Sequence, residues 1–377
     1  MCLPTCPTYQ LSKNENESPR GRIALMHGIV QEDLPLTSKA IKHLDHCLGC
    51  LSCEDVCPSN VKYEELIDGI REYTVNKQNN SFTKLFISLL TRANIQKIIF
   101  SLLRLYQLSG VQWLSRRSGL LKITGVNEQE ELLPKLNKRL SLKPFYPTQK
   151  KSLGTVNLFT GCMGNAFEQN AISTSIGLLN KLGYDISIPK QVCCGALHQH
   201  SGFKKQANEL ANTNNQLLFQ DNPVAVVFTA SGCGAQLTKT LHQAETPVTS
   251  ILDFVQQHVS NHSIVFNPVK TKVAVHQPCS LQNSLKQSDA VLHVLNKIPD
   301  LELIELQSQC CGAAGKNMLT ETKIANQIRQ PLLTQIKATQ PDQVITSNIG
   351  CLLHLRAGIE KNIPLIHPVE LIAKSIV

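Results

Sequence analysis

From Leu153 onward, short apolar runs alternate with stretches in which apolar residues recur every three or four positions. Val156 to Phe159, Ile186 to Ile188 and Val224 to Phe228 read as strands, with a helix from about Ala166 to Leu182 and another after Cys194. The pattern returns with strands at Val273 to His276, Leu301 to Leu306 and Val344 to Thr346, so it predicts βαβ units with parallel strands. Nearer the N-terminus, Pro19 stands near the first turn of a helix through Ile23-Ala-Leu-Met, and Tyr63, Leu66, Ile67, Ile70 and Tyr73 fall at helical spacing. Residues 77–151 predict two or three basic amphipathic helices. Their apolar faces carry Phe82, Leu85, Phe86, Leu89 and Leu90, then Ile95, Ile98, Ile99, Leu102, Leu103 and Leu105, before Pro134, Pro144 and Pro147 close a linker. Those faces are expected to pack on their own protein; docking to a partner subunit or an anionic membrane surface is the alternative.

The cysteines show that the alternation is a true repeat. Cys162, Cys193, Cys194 and Cys233 are followed by Cys279, Cys310, Cys311 and Cys351 at offsets of 117, 117, 117 and 118. Each group follows the carboxyl end of a strand, where open α/β sheets place ligands, so three loops can deliver four thiols to one point. Gly195, Gly312 and other glycines beside these thiols allow close backbone approach. Gly312-Ala-Ala-Gly315-Lys316-Asn317 lacks the spacing of a phosphate loop.

A different motif occupies the N-terminal segment. Cys47, Cys50, Cys53 and Cys57-Pro58 have the C-x2-C-x2-C-x3-C-P spacing of a bacterial iron–sulfur run, whereas a zinc site usually pairs two C-x2-C knuckles. Cys2 and Cys6-Pro7 form the tail of a second such run. If the fourth thiol of each run crosses over, Cys6 joins Cys47, Cys50 and Cys53 on one cluster, leaving Cys2 and Cys57 for another. The expectation is therefore an upstream start that supplies the missing C-x2-C. The long gap between Cys6 and Cys47 suits an α-helical ferredoxin module.

Composition narrows the class. With 377 residues the chain predicts two to three domains, and its longest apolar runs are far short of the ~20 residues that cross a bilayer. Fourteen cysteines grouped in motifs point to metal in a reducing compartment, not to a disulfide framework. The net charge of +9 is local: residues 77–151 hold fourteen Lys/Arg against Glu128, Glu130 and Glu131. Aromatic residues are sparse there and no nucleic-acid motif appears. His198, His200 and His276 are weak candidates for hydrogen bonding around the metal sites, with ordinary core or surface histidine as the plainer reading; His354 and Lys316 are read likewise. Arg20 and Arg22 are expected to pair with acids of their own module.

Cys193-Cys194-Gly195 and Cys310-Cys311-Gly312, each with a cysteine 31 residues upstream and another about 40 downstream, resemble the paired "CCG" domains of heterodisulfide reductase and related subunits. With the N-terminal ferredoxin motif, Pro19-Arg-Gly-Arg-Ile, Thr229-Ala-Ser-Gly-Cys-Gly and Thr346-Ser-Asn-Ile-Gly-Cys, nearly the whole chain is similar to the iron–sulfur subunit family of glycolate oxidase (glycolate dehydrogenase). The resemblance implies an α+β multidomain protein. Its parts are a ferredoxin-like module over residues 1–76, N-terminally truncated, a basic helical linker over 77–151, and CCG units over 152–262 and 268–377.

The implied function is a subunit of an acceptor-linked oxidoreductase acting on CH–OH. Two [4Fe–4S] clusters on Cys2, Cys6, Cys47, Cys50, Cys53 and Cys57 take electrons from flavin-binding 2-hydroxy-acid oxidase subunits toward quinone or another respiratory acceptor, with no flavin on this chain. A cytoplasmic location, with peripheral contact to the inner face of the cytoplasmic membrane, goes with it. The CCG thiols are expected to hold further iron–sulfur or zinc, although Ala230 and Asn348 replace the first cysteine of the related C-x2-C ending. A thiol–disulfide oxidoreductase and a D-lactate dehydrogenase subunit are the alternatives.

Overall fold

A computed structural model describes residues 1–78, 81–136, 140–241, 243, 245–261 and 264–376. The side chains of Phe82, Phe86 and Leu90 lie outside the described set. The N-terminal module is helical: α1 (Cys2–Thr5), α2 (Pro7–Ser12), α3 (Pro19–Val30), α4 (Ser38–Asp45), α5 (Ser52–Asp55) and α6 (Tyr63–Gln78). Ser18 caps α3, accepting from the Gly21 amide at 3.0 Å, and Pro19 supplies a first-turn residue with no amide to satisfy. Tyr63, Ile67 and Ile70 of α6 close a small core with Met26, Ile29 and Leu44. Leu66, expected on that face, is 42% exposed, because the buried stripe runs 63, 67, 70, 74 and leaves it at the edge.

The module's centre is polar. Arg22, 1% exposed, pairs with Glu17 at 2.7 Å and donates to the His43 carbonyl at 2.8 Å and Thr8 Oγ1 at 3.1 Å. The same Glu17 carboxylate meets His43 Nδ1 at 2.7 Å and His46 Nδ1 at 2.9 Å. Burial alone would raise the Glu17 carboxyl, but the two histidine hydrogen bonds and the Arg22 charge outweigh it and hold the group below its usual range. Arg20 pairs with Glu15 at the surface.

Five helices, not two or three, follow: α7 (Ser81–Thr91), α8 (Ala93–Leu108), α9 (Val111–Arg117), α10 (Leu120–Ile123) and α11 (Asn127–Glu131). Gly110 and Gly119, both at positive φ, divide the last part. The expected packing of the apolar faces is overturned for Leu85, Ile98, Leu102 and Leu105, each more than half exposed; Ile87 and Phe100 alone carry the deeply buried contacts of these two helices among the described side chains. The end of the stretch read as linker joins a sheet: β1 (Phe145–Tyr146) pairs antiparallel with Asp185–Ser187 and forms the sheet's edge strand, a position where flanking prolines are tolerated.

Each repeat is a parallel sheet between helices. In the first, β2 (Thr155–Phe159), β3 (Asp185–Ser187), β4 (Ala225–Phe228) and β5 (Val248–Ser250) stand in the order β1-β3-β2-β4-β5. The second sheet orders β6 (Thr271–Val275), β7 (Leu301–Glu305), β8 (Gln343–Ile345) and β9 (Leu365–Ile366) as β7-β6-β8-β9. The helix expected from Ala166 to Leu182 is broken into α12 (Gly164–Phe167) and α13 (Gln169–Lys181), because Glu168 leaves helical geometry between them. Then come α14 (Ala196–Gln199), α15 (Lys204–Leu218), α16 (Ser231–Thr240) and α17 (Ile251–Asn261). The second copy carries a π-helical turn (Ser280–Ser284), α18 (Ser288–Leu295), α19 (Asn317–Thr320), α20 (Thr322–Thr339), α21 (Ile349–Arg356) and α22 (Pro368–Ser375). One apolar core serves both copies, with Val156 and Leu158 of β2 in the same cluster as Val273 and Val275 of β6 and with α13 packed on α22.

Gly195 and Gly312, one repeat apart, adopt φ of +87° and +85° immediately after the double cysteines. A Cβ at Gly312 would lie 2.5 Å from the Ala325 carbonyl oxygen of α20. Gly312→Ala is therefore expected to lower stability by more than about 1 kcal/mol, whereas Gly69→Ala, in open space on α6, should raise it by about 0.5–1 kcal/mol. Denaturant unfolding of the anaerobic protein checks both; equal stability of the Gly312 variant and the parent would contradict the packing.

Candidate metal centres

The loop between α4 and α5 turns on two left-handed residues, Gly49 at φ +61° and Leu51 at φ +59°. This brings Cys47, Cys50 and Cys53 to one side, and Cys6, the residue that opens α2, meets them. The four thiols, with Arg22 and Tyr63 among the neighbours, line one small hollow that opens to solvent. Cys6 is fixed by Thr8 Oγ1 at 3.3 Å, which donates to the Glu17 carbonyl at 2.8 Å. Cys47 is held by Arg71 Nη2, which donates to its carbonyl at 2.6 Å, while the Tyr63 hydroxyl lies 3.7 Å from its sulfur. Cys2 and Cys57 stand apart from this hollow and are half-buried; α1, which begins at Cys2, packs on α5, which ends two residues before Cys57.

The repeats crowd their thiols more tightly. The three loops of each copy leave the same sheet edge, after β2, β3 and β4 in the first and β6, β7 and β8 in the second. Cys162 Sγ is 3.7 Å from Cys193 Sγ, and Cys311 Sγ is 2.9 Å from Cys351 Sγ. The remaining neighbours interact in the same series, Cys193–Cys194–Cys233 in the first copy and Cys279–Cys310–Cys311 in the second. Every thiol in these groups is pushed up. For Cys162 and Cys279 the hydrogen bond to the next cysteine contributes most, followed by burial. In the N-terminal group burial comes first: with the nearby Cys279 it pushes Cys50 up to about 12, and with Cys50 and Cys47 it raises Cys53 further.

These residues fit a bound metal group. Such thiols remain protonated until a cation takes the place of their protons, which is how a thiolate metal site loads. Among the described residues no three His, Cys, Asp or Glu side chains converge tightly enough to grip a single ion; the N-terminal thiols line one shared hollow.

The module seats against both repeats. Asn283, four residues after Cys279, donates to the Cys50 carbonyl at 2.7 Å and to Ser52 Oγ at 3.1 Å, and Lys286 pairs with Asp55. On the other flank Gln199 donates to Asp68 at 2.9 Å, and His200 Nδ1 lies 3.7 Å from the same carboxylate. His200 is thus a half-exposed contact between module and first copy. His198, His276 and His354 are buried and held neutral, the last two pushed down to about 4 by burial; His276 Nδ1 meets Thr346 Oγ1 at 2.9 Å. Lys316 is not free in solvent but reaches Asp45 at 3.9 Å.

The sequence did not single out Glu17, Arg71, Asn283 or Glu168 for any role. Glu168 is 4% exposed, and neither carboxylate oxygen has a hydrogen-bond partner. It borders a hollow between the two copies that Arg356 and Glu370 also line. Burial first, then the Glu370 charge, lifts it to about 8.

Three family models match the chain: the 4Fe-4S dicluster domain over residues 1–61, the linker region of the glycolate oxidase iron-sulfur subunit over 78–132, and the cysteine-rich CCG domain over 156–238 and 273–356. A probable glycolate oxidase iron-sulfur subunit of Bacillus subtilis is 33% identical over 388 residues, covering 96% of this chain and 87% of its own. The glycolate oxidase iron-sulfur subunit of Escherichia coli is 28% identical over 95% of this chain and 88% of its own. Lactate utilization protein A 1 of Bacillus anthracis is 24% identical over 59% of this chain and 98% of its own.

Glu168 sets a pH signature. Folded, it keeps its proton to about pH 8; unfolded, it releases it near 4.5, so folding takes up a proton between those values and stability falls as pH rises through them. Glu168→Gln should remove that slope, with a gain in unfolding midpoint over the parent that is larger at the alkaline end of this window. An identical gain at both ends would show that Glu168 is ionised in the folded protein.

Proposed function

The chain belongs to the glycolate oxidase iron–sulfur subunit family, and on that premise we propose that it relays electrons from a separate flavin-bearing subunit, which oxidises glycolate or a related 2-hydroxy acid, toward a quinone or other respiratory acceptor on the cytoplasmic side. It is an electron-transfer iron–sulfur subunit of a hydroxy-acid dehydrogenase. [4Fe–4S] clusters supply reversible one-electron transfer when bound. In this reading Cys47, Cys50, Cys53 and Cys6 ligate one cluster, Cys57 and Cys2 serve the second, and the eight thiols of the repeats hold further iron–sulfur groups, with zinc as the alternative there.

The observation that supports a relay is the junction at Asn283. The N-terminal thiol group and that of the second copy sit close enough for Cys50 to feel Cys279 and for Cys310 to feel Cys50. Asn283 ties the backbone of one cysteine to the turn that follows the other. Arg22 and Arg71, both buried beside Cys47, offset the negative charge of ionised thiols. Electron passage needs short separations and fixed geometry, and both ends of this junction are fixed by hydrogen bonds.

The 2.9 Å approach of Cys311 to Cys351 favours a second reading, thiol–disulfide exchange in the repeats. The two separate cleanly. Under the relay, Cys53→Ser removes the iron and acid-labile sulfide of one cluster and abolishes glycolate- or D-lactate-dependent dye reduction by the reconstituted complex, while flavin reduction on the partner persists. Cys311→Ser lowers iron in the second copy. If Cys53→Ser leaves dye reduction intact and Cys311→Ser abolishes turnover with full iron content, exchange is the function and the relay is wrong.

A further inference from the structure

Eleven of the twenty-one exposed large apolar side chains among the described residues fall within residues 85–126. On α8, Ile98, Leu102, Leu105 and Leu108 share one face and are 60–69% exposed, so the side of the helix that should be polar is apolar. Past Gly110 and Gly119, Trp113 is 63% exposed and Ile123 83% exposed. Exposed apolar side chains gathered in one segment, and not scattered over the surface, mark an interaction site.

Charge selects the occupant. Residues 81–126 contain seven Lys/Arg and no Asp or Glu. Arg117 lies 5.3 Å from the centre of the Trp113 ring, and Lys97 and Lys122 are exposed beside Ile98 and Ile123. Basic residues bordering leucine, isoleucine and tryptophan make up the composition of a helix set that lies in a lipid interface. Among the described residues no single helix is long and apolar enough to cross a membrane, and the pair Thr83–Leu89 and Asn94–Leu108 reaches the required length only across an 80° bend.

We propose that α8, α9 and α10 form a membrane-surface anchor, with the exposed face of α8, Trp113 and Ile123 entering the headgroup boundary of an anionic leaflet and the surrounding Lys/Arg binding lipid phosphate. The attachment would bring the redox protein to the plane where membrane-dissolved acceptors reside. It requires no property of the thiol sites.

Trp113 is the chain's single tryptophan and serves as a built-in reporter. With the anaerobically purified full chain, vesicles of phosphatidylglycerol should shift its emission to the blue and carry the protein into the pellet, while vesicles of phosphatidylcholine bind much more weakly. Replacing both Lys97 and Lys122 with Ala should weaken phosphatidylglycerol binding by about thirtyfold, with iron content and visible absorption unchanged. An unshifted Trp113 emission and no pelleting with phosphatidylglycerol would overturn the proposal. So would burial of Trp113 by the flavin-bearing subunit alone while vesicles have no effect, which would make this face a subunit interface.

Discussion

Buried thiols in mutual contact cannot all ionise together. Each thiolate would lack water and face a neighbour of the same sign, so the groups in the two repeats either stay protonated or share a cation. The fold imposes this crowding. Parallel strands send their three loops off one edge, and cysteines at the loop starts meet whatever their order in the chain. Gly195 and Gly312, in a backbone conformation that other residues enter only at a cost, let each double cysteine turn close against α15 in the first copy and α20 in the second. The apo fold thus holds protons where the loaded protein would hold metal, and loading is coupled to proton release.

The N-terminal group solves the same problem with charge. A buried guanidinium, Arg22, lies beside Cys6 and Cys47, and its own desolvation is met by Glu17, which in turn accepts from two histidines. Removing one partner of such a pair costs more than the pair itself contributes, because the other is left buried and uncompensated. The network therefore acts as a register pin. It ties the turn carrying Glu17 to α4 and to Thr8, and through Thr8 to Cys6, so that a thiol from the start of the chain stands among three from a loop some forty residues later.

How much of this was legible in the sequence depends on the range of the interaction. Cysteine spacing and the repeat offset are covalent facts, and β-branched runs declare strands, so the motifs, the parallel units and the proline-led start of α3 could be read directly. The break at Glu168 could not, because it answers to a hollow formed with the second copy nearly two hundred residues away. Asn283 carried no signal for the same reason: an asparagine after a cysteine is unremarkable until Cys50 is beside it. For the linker, periodicity identified helices, but it cannot say whether an apolar stripe meets protein or something else. Leu102, read as part of the stripe, is 60% exposed, whereas Phe100, outside it, is buried.

The two positions where the related motif carries another cysteine show why four thiols remain in each repeat. Asn348 caps α21, accepting from the Gly350 amide at 2.9 Å, and donates to Ser280 Oγ at 3.1 Å. Its counterpart Ala230 is buried at the start of α16, where the next residue, Ser231, donates its amide to the Ser347 carbonyl at 2.9 Å and shares a 2.8 Å hydrogen bond with Ser280. Both positions lie on the seam between the copies. Each is committed to joining the repeats, and a thiol at either would exchange a helix cap or a close apolar contact for a ligand. Asn348, Ser231 and Ser280 thus hold the two copies, and with them the two thiol groups, against each other.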